Sequence, residues 1–105
     1  MTQSPAPIAS LTAEQAAPLT HLLFDFDDTV TWDGQLPEPG AQALYRAAEA
    51  GFRLIAVTGR SAAWGEMLMR LFPLDAAIAE TGAICYHRPR LNEPVSVLHL
   101  SLIHI

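Results

Sequence analysis

Lysine is absent from this chain of 105 residues, and all six of its basic residues are arginines. With a formal net charge of -5 and no basic run, the chain lacks the positive field that nucleic-acid binding requires, so no nucleic-acid partner is expected. Cysteine is nearly absent too: Cys85 stands alone and cannot form an internal disulfide. The N-terminus has no basic region followed by an apolar run, so nothing directs export, and a reducing, cytoplasmic setting is expected. No apolar stretch approaches the ~20 residues of a membrane helix, which excludes a membrane partner of that kind. Internal repeats are missing as well. What remains is a chain that is 50% hydrophobic, enough for one modest core in a single small domain.

The most informative stretch is Leu22-Leu23-Phe24-Asp25-Phe26-Asp27-Asp28-Thr29-Val30, an apolar strand running into three carboxylates. Acids this close repel one another and are costly at a strand end unless a cation or hydrogen-bond donors compensate them. About 30 residues on, Arg53-Leu54-Ile55-Ala56-Val57-Thr58-Gly59-Arg60 repeats the design, with a strand ending in a small hydroxyl and a glycine.

Met1 to Thr20, rich in Ala, Pro, Ser and Thr, reads as a flexible lead-in with a short helix near Thr12 to Ala17. His21 to Phe26 and Phe52 to Val57 read as strands buried on both faces, and Ala76 to Ala79 as a short third strand. Between them lie two helices. The first has Pro39 in its opening turn, an apolar series of Ala41, Leu44, Tyr45 and Ala48, and Gly51 as its stop. The second starts at a capping Ser61, carries an apolar stripe of Trp64, Met67, Leu68, Leu71 and Phe72, and ends at Pro73. This alternation implies an α/β fold: a Rossmann-like parallel sheet with flanking helices on both faces, joined by right-handed crossovers. Ala83 to His87 reads as a fourth short strand and Arg88 to Pro94 as a loop. Residues 21–99 thus form an α/β core, and 100–105 are set apart from it.

In such sheets ligands bind beyond the carboxyl ends of the strands, where Asp25 to Thr29 and Thr58 to Arg60 both lie. Asp25 and Asp27 are two apart, so on an extended backbone they share a side while Phe24 and Phe26 take the other. One carboxylate can attack phosphorus while the other protonates the departing oxygen. Mg2+ suits the hard oxygen donors. Thr58 offers a neutral donor to a phosphoryl oxygen, and the amides of Gly59 and Arg60 at a helix start would add others. Arg60 itself reads as a surface residue at the helix start. Trp64, Met67 and Met69 read as packing, Cys85 as a small buried apolar side chain, and Trp32 either as the rim of the pocket or as a turn aromatic.

These two segments carry a resemblance. Asp25-Phe26-Asp27-Asp28-Thr29 resembles the first signature of the haloacid dehalogenase superfamily, and Val57-Thr58-Gly59-Arg60 its second, within a resemblance that covers Leu22 to Tyr86. The short turn after the first strand and Ile78-Ala79-Glu80-Thr81-Gly82-Ala83 resemble the branch of sugar phosphatases and phosphomannomutases, whose cap follows the third strand. The resemblance implies a Mg2+-dependent phosphomonoester hydrolase acting through an aspartyl phosphate on a small phosphorylated metabolite such as a sugar phosphate. It assigns Asp25 as nucleophile and metal ligand, and Asp27 as general acid and base with its carbonyl on the metal. Thr58 and Gly59 would bind phosphate, and Thr29 would fix the loop.

That superfamily also uses a third-motif Lys or Arg and later acids. Arg88 and Arg90 are the substitutes available here, and Asp75 is the last aspartate. A phosphomutase of the same superfamily is the alternative enzyme. A phosphoacceptor receiver domain needs an acid ending the third strand, where only Glu80 stands. The remaining expectation is that the chain is an N-terminal fragment without function of its own. Leu100 to Ile105 matches the translation of a transposon end used in preparing sequencing libraries, and these six residues are given no function.

Overall fold

In the computed structural model, which describes residues 4–99, the three apolar runs become three adjacent parallel strands. β1 (His21–Asp25) pairs along its length with β2 (Arg53–Val57), and β2 pairs with β3 (Ala76–Ala79). The turn at Glu80–Gly82 reverses the chain into β4 (Ile84–His87), antiparallel to β3, and a second reversal sets β5 (Ser96–His99) antiparallel to β4. Sheet order follows chain order, so four strands run one way and β4 alone opposes them. The α/β class and the flanking helices are as the sequence predicts. β5 is an addition: Ser96-Val97-Leu98-His99 is too short to announce itself by alternation, and pairing with β4 makes it a strand. The expected non-native tail, Leu100 to Ile105, lies outside the described residues.

A four-residue helix, α1 (Ala13–Ala16), sits in the lead-in behind a capping box in which Thr12 and Gln15 each satisfy the other's backbone amide. The two longer helices, α2 (Glu38–Glu49) and α3 (Ala62–Leu71), cross from β1 to β2 and from β2 to β3. Both crossovers step the same way along the sheet, so right-handedness puts both helices on one face. Leu44 of α2 and Leu68 and Met69 of α3 accordingly share one core with Leu54, Ala56, Ala77, Ala79, Ile84 and Tyr86.

This corrects the expectation of helices on both faces and of strands buried on both. The opposite face presents Leu23, Ile55, Val57, Ile78, Cys85 and Leu98, none of them fully buried; Leu23 is 66% and Leu98 61% exposed. Cys85 therefore sits on the open face and not in the core. Among the described residues no helix is long and apolar enough to cross a membrane.

The buried stripe of α3 also differs from the expected one. Gly65, Leu68 and Met69 are buried, with Ala62 and Phe72 packed beside them, while Trp64, Met67 and Leu71 face outward. Gly65 explains the rotation, because only a residue without a side chain lets α3 approach β3 and β4 this closely. A β carbon there would lie 3.0 Å from that of Ala79 and 3.1 Å from the Tyr86 ring. Gly65→Ala is therefore expected to destabilise the fold by about 1–3 kcal/mol through overpacking, despite alanine's better helix propensity. Urea denaturation measures it, and an unchanged or raised midpoint would refute the close approach.

Candidate active site

Three turns meet at the carboxyl ends of β1, β2 and β3. The first is anchored by Phe26, whose amide donates to the Val57 carbonyl (3.1 Å) and whose buried ring packs against Phe72. The amides of Val30 and Thr31 both donate back to the Phe26 carbonyl, which curls the acidic segment into a tight turn. Asp28 takes a left-handed conformation there (φ 60°), one that Asp tolerates, and its amide donates to the Thr31 hydroxyl (2.9 Å). Thr31, buried in the turn, thus performs the loop-fixing role that the resemblance gave to Thr29, which is exposed. Phe24 and Phe26 point to the core as alternation requires.

The second turn hangs on Thr58. Its amide donates to the Ile78 carbonyl (2.8 Å), and its buried hydroxyl accepts from the Arg60 amide (3.1 Å) while donating to Asp27 Oδ2 (3.1 Å). Arg60 follows the same carboxylate. Its Nε donates to Asp27 Oδ1 and Oδ2 (2.8 and 3.0 Å), its Nη2 approaches Oδ1 at 2.6 Å, and its guanidinium lies 4.3 Å from the Trp64 ring centre. The Arg60 hydrogen bonds, helped by Thr58, hold the Asp27 carboxyl below the usual carboxylate range against the opposing effect of burial, and Asp27 raises Arg60 in turn.

The third turn, Glu80–Gly82, is tied to the second. The Glu80 amide donates to the Arg60 carbonyl (2.8 Å), and Glu80 Oε2 accepts from the Ala62 amide (3.0 Å). Glu80 thereby caps α3, a role expected of Ser61, which occupies the N-cap position without a side-chain cap bond. Glu80 is the acid that a receiver domain would need at the end of β3, and here it is engaged in this cap. Thr81 is held in the left-handed region (φ 55°), which is uncommon for a β-branched residue, with its hydroxyl over Gly59. Thr81→Gly is expected to raise stability by about 1 kcal/mol, the order of the left-handed penalty for an L-residue. Thermal unfolding reads this directly, and a lower midpoint would show that the threonine side chain earns its place by packing.

Asp25, Val57, Thr58, Gly59, Thr81 and Gly82 line a depression of about 350 Å³. The Asp25 carboxylate is exposed and has no hydrogen-bond partner among the described residues. A larger hollow of about 450 Å³ lies elsewhere, lined by residues including Glu66, Arg70, Tyr86, Glu93 and His99, with Arg70 paired to Glu66.

The structure thus brings Asp25, Thr58 and Gly59 together, as the sequence predicts, and turns Asp27 sideways onto Arg60. Arg60 is the main correction: a residue read as helix-start surface is the cation of the site. Its spacing from Trp64, four apart at a helix start, is the signal that could have marked it. Arg88, by contrast, donates to the carbonyls of Leu74 (3.0 Å) and Phe72 (3.2 Å), at the amino ends of the parallel strands and away from the acids.

The donor set is compatible with a hard divalent cation only in a sparse form. No group of three or more His, Cys, Asp or Glu among the described residues is arranged to hold a metal. The Asp25 and Asp28 carboxylates have no hydrogen-bond partner among the described residues, and Mg2+ is commonly held by one or two carboxylates plus waters and substrate phosphate oxygens.

No protein-family profile and no curated protein matches the chain. Its fold is similar to that of a solved phosphatase of the haloalkanoate enzyme superfamily from Bacteroides thetaiotaomicron, with 24% sequence identity and a TM-score of 0.54. The match covers 85% of this chain and 31% of that one, so the chain spans about a third of the length of the protein it resembles. The chain has the fold of part of that protein.

Proposed function

We propose that this chain carries the phosphoryl-transfer site of a phosphomonoester hydrolase acting on a small phosphorylated metabolite such as a sugar phosphate. The observation that carries the reading is the free carboxylate of Asp25 facing the Thr58-Gly59 turn across one depression. An Asp25 oxygen attacks phosphorus, the P–O bond to the ester oxygen breaks, and the departing alkoxide takes a proton from the Asp27 carboxyl, leaving an aspartyl phosphate. Water then attacks that phosphorus and gives a proton to the Asp27 carboxylate, the acyl-phosphate bond breaks, and inorganic phosphate leaves with the Asp25 carboxylate restored. The Gly59 amide, just ahead of α3, suits a phosphoryl oxygen by its position and by the sign of the helix dipole, whereas the Arg60 amide donates to the Thr58 hydroxyl.

Mg2+, held by the Asp25 carboxylate, the Asp27 backbone carbonyl and phosphate oxygens, would neutralise charge on the transferring group. Asp27 is placed to move the proton only when its carboxylate leaves Arg60, since that ion pair favours the ionised form. The fold likeness to a solved phosphatase agrees with this chemistry. The test is hydrolysis of p-nitrophenyl phosphate by the purified chain with Mg2+. Release of p-nitrophenol that stops on chelation supports the reading, and no release at any Mg2+ concentration opposes it.

A further inference from the structure

In the structure two side-chain donors at this site, the Thr58 hydroxyl and the Arg60 guanidinium, are held by one internal anion, while the Thr81 hydroxyl lines the same depression without contacting it. The Thr58 hydroxyl has a single proton, and it goes to Asp27 Oδ2; the Nε and Nη2 edge of Arg60 goes to the same carboxylate. The Trp64 ring supports the guanidinium from one side, and the Arg60 side chain is 29% exposed. Among the described residues Arg53 pairs with Asp75 and Arg88 binds carbonyls at the opposite end of the sheet, so neither is available beside these donors. A dianion entering beside Asp25 and Asp28 therefore meets a guanidinium that is already neutralised.

We propose that Asp27 is a built-in competitor of the substrate phosphate: it occupies Thr58 and Arg60 when the site is empty, and the phosphate takes both donors by displacing it. Arg60, supported on Trp64, then binds a phosphoryl oxygen, while the released Asp27 carboxylate becomes available to the reaction. The contact is self-inhibiting for binding and keeps a buried hydroxyl and a guanidinium satisfied until the ligand arrives. This rests on the reading above that the ligand of the site is a phosphate.

The test is titration of the full chain with inorganic phosphate in metal-free buffer, followed by amide chemical shifts, for the wild type and four variants. Asp27→Asn is expected to bind phosphate about tenfold more tightly, since an amide competes less well than a carboxylate for a guanidinium. Arg60→Gln is expected to bind about tenfold more weakly, and the double variant should show no gain over Arg60→Gln. Asp28→Asn removes the same charge one residue away from a side chain that holds neither donor, and it should change affinity less than Asp27→Asn does.

Unchanged or weaker binding by Asp27→Asn overturns the proposal. So does an equal gain in Asp28→Asn, which would mean that bulk charge alone acts, or a gain that persists without Arg60. The far-ultraviolet spectrum of each variant confirms that it is folded. Binding by the wild type with no gain in Asp27→Asn defeats only the competitor role; no binding by any of the five proteins defeats the phosphate-site reading as well.

Discussion

Replacing Asp25 with asparagine is expected to lower hydrolysis of p-nitrophenyl phosphate by about a thousandfold or more, the scale seen when a covalent nucleophile is removed. The amide keeps the shape of the side chain but loses the charge and the nucleophilic oxygen pair. Because the Asp25 carboxylate is exposed and accepts no hydrogen bond among the described residues, the fold loses little, and unfolding should shift by no more than about 0.5 kcal/mol. That separation of activity from stability distinguishes a nucleophile from a structural acid. Comparison with Asp75 sharpens it. Asp75 accepts from the Leu54 amide (2.8 Å) and pairs with Arg53, so its removal would affect the sheet and not the chemistry. A rate within tenfold of the wild type in Asp25→Asn would remove Asp25 from the nucleophile's role.

Leu68→Ala is expected to cost about 2–5 kcal/mol, against a total stability of about 5–15 kcal/mol for a domain of ordinary stability. Leu68 is only 2% exposed, at the centre of the face that α3 presents to the sheet, so truncation leaves a cavity that the neighbouring strands cannot fill. Leu71→Ala on the same helix should cost much less, about 1 kcal/mol or below, because Leu71 is 56% exposed. The two residues have equal standing in the expected Trp64-to-Phe72 stripe, so their urea midpoints decide between that stripe and the one centred on Gly65, Leu68 and Met69. Equal losses at both positions would contradict the observed orientation of the helix.

Much of the fold was legible because its signals are local. The three parallel strands follow from short apolar runs closed by turn residues, and the first two end within a residue of where the pattern placed them. What the runs could not report was how many faces are covered. A leucine on an open sheet face, such as Leu23, reads the same as one under a helix, and only the direction of the crossovers puts both helices on one side. The rotation of α3 was hidden for a related reason: hydropathy favours Trp64 and Met67, whereas close packing favours Gly65, which scores as nothing on an apolar scale.

At the site, residues required by backbone position were readable, and those chosen by three-dimensional pairing were not. Thr58 and Asp25 follow from strand ends. The Asp27–Arg60 pair joins segments 33 residues apart, and the capping of α3 by Glu80 joins segments 18 apart. Thr31 replaced Thr29 as the loop's anchor because the turn at Asp28 swings the later hydroxyl inward.

The most direct measurement of the central claim is a covalent one. The chain is exposed to p-nitrophenyl phosphate and Mg2+, quenched in acid, digested, and mapped by mass. The expected result is a single hydroxylamine-labile phosphoryl group on the peptide containing Asp25, at Asp25 itself, absent from Asp25→Asn. A phosphoryl group on Asp27 or Asp28, or steady hydrolysis with no trapped group under any quench, would contradict it.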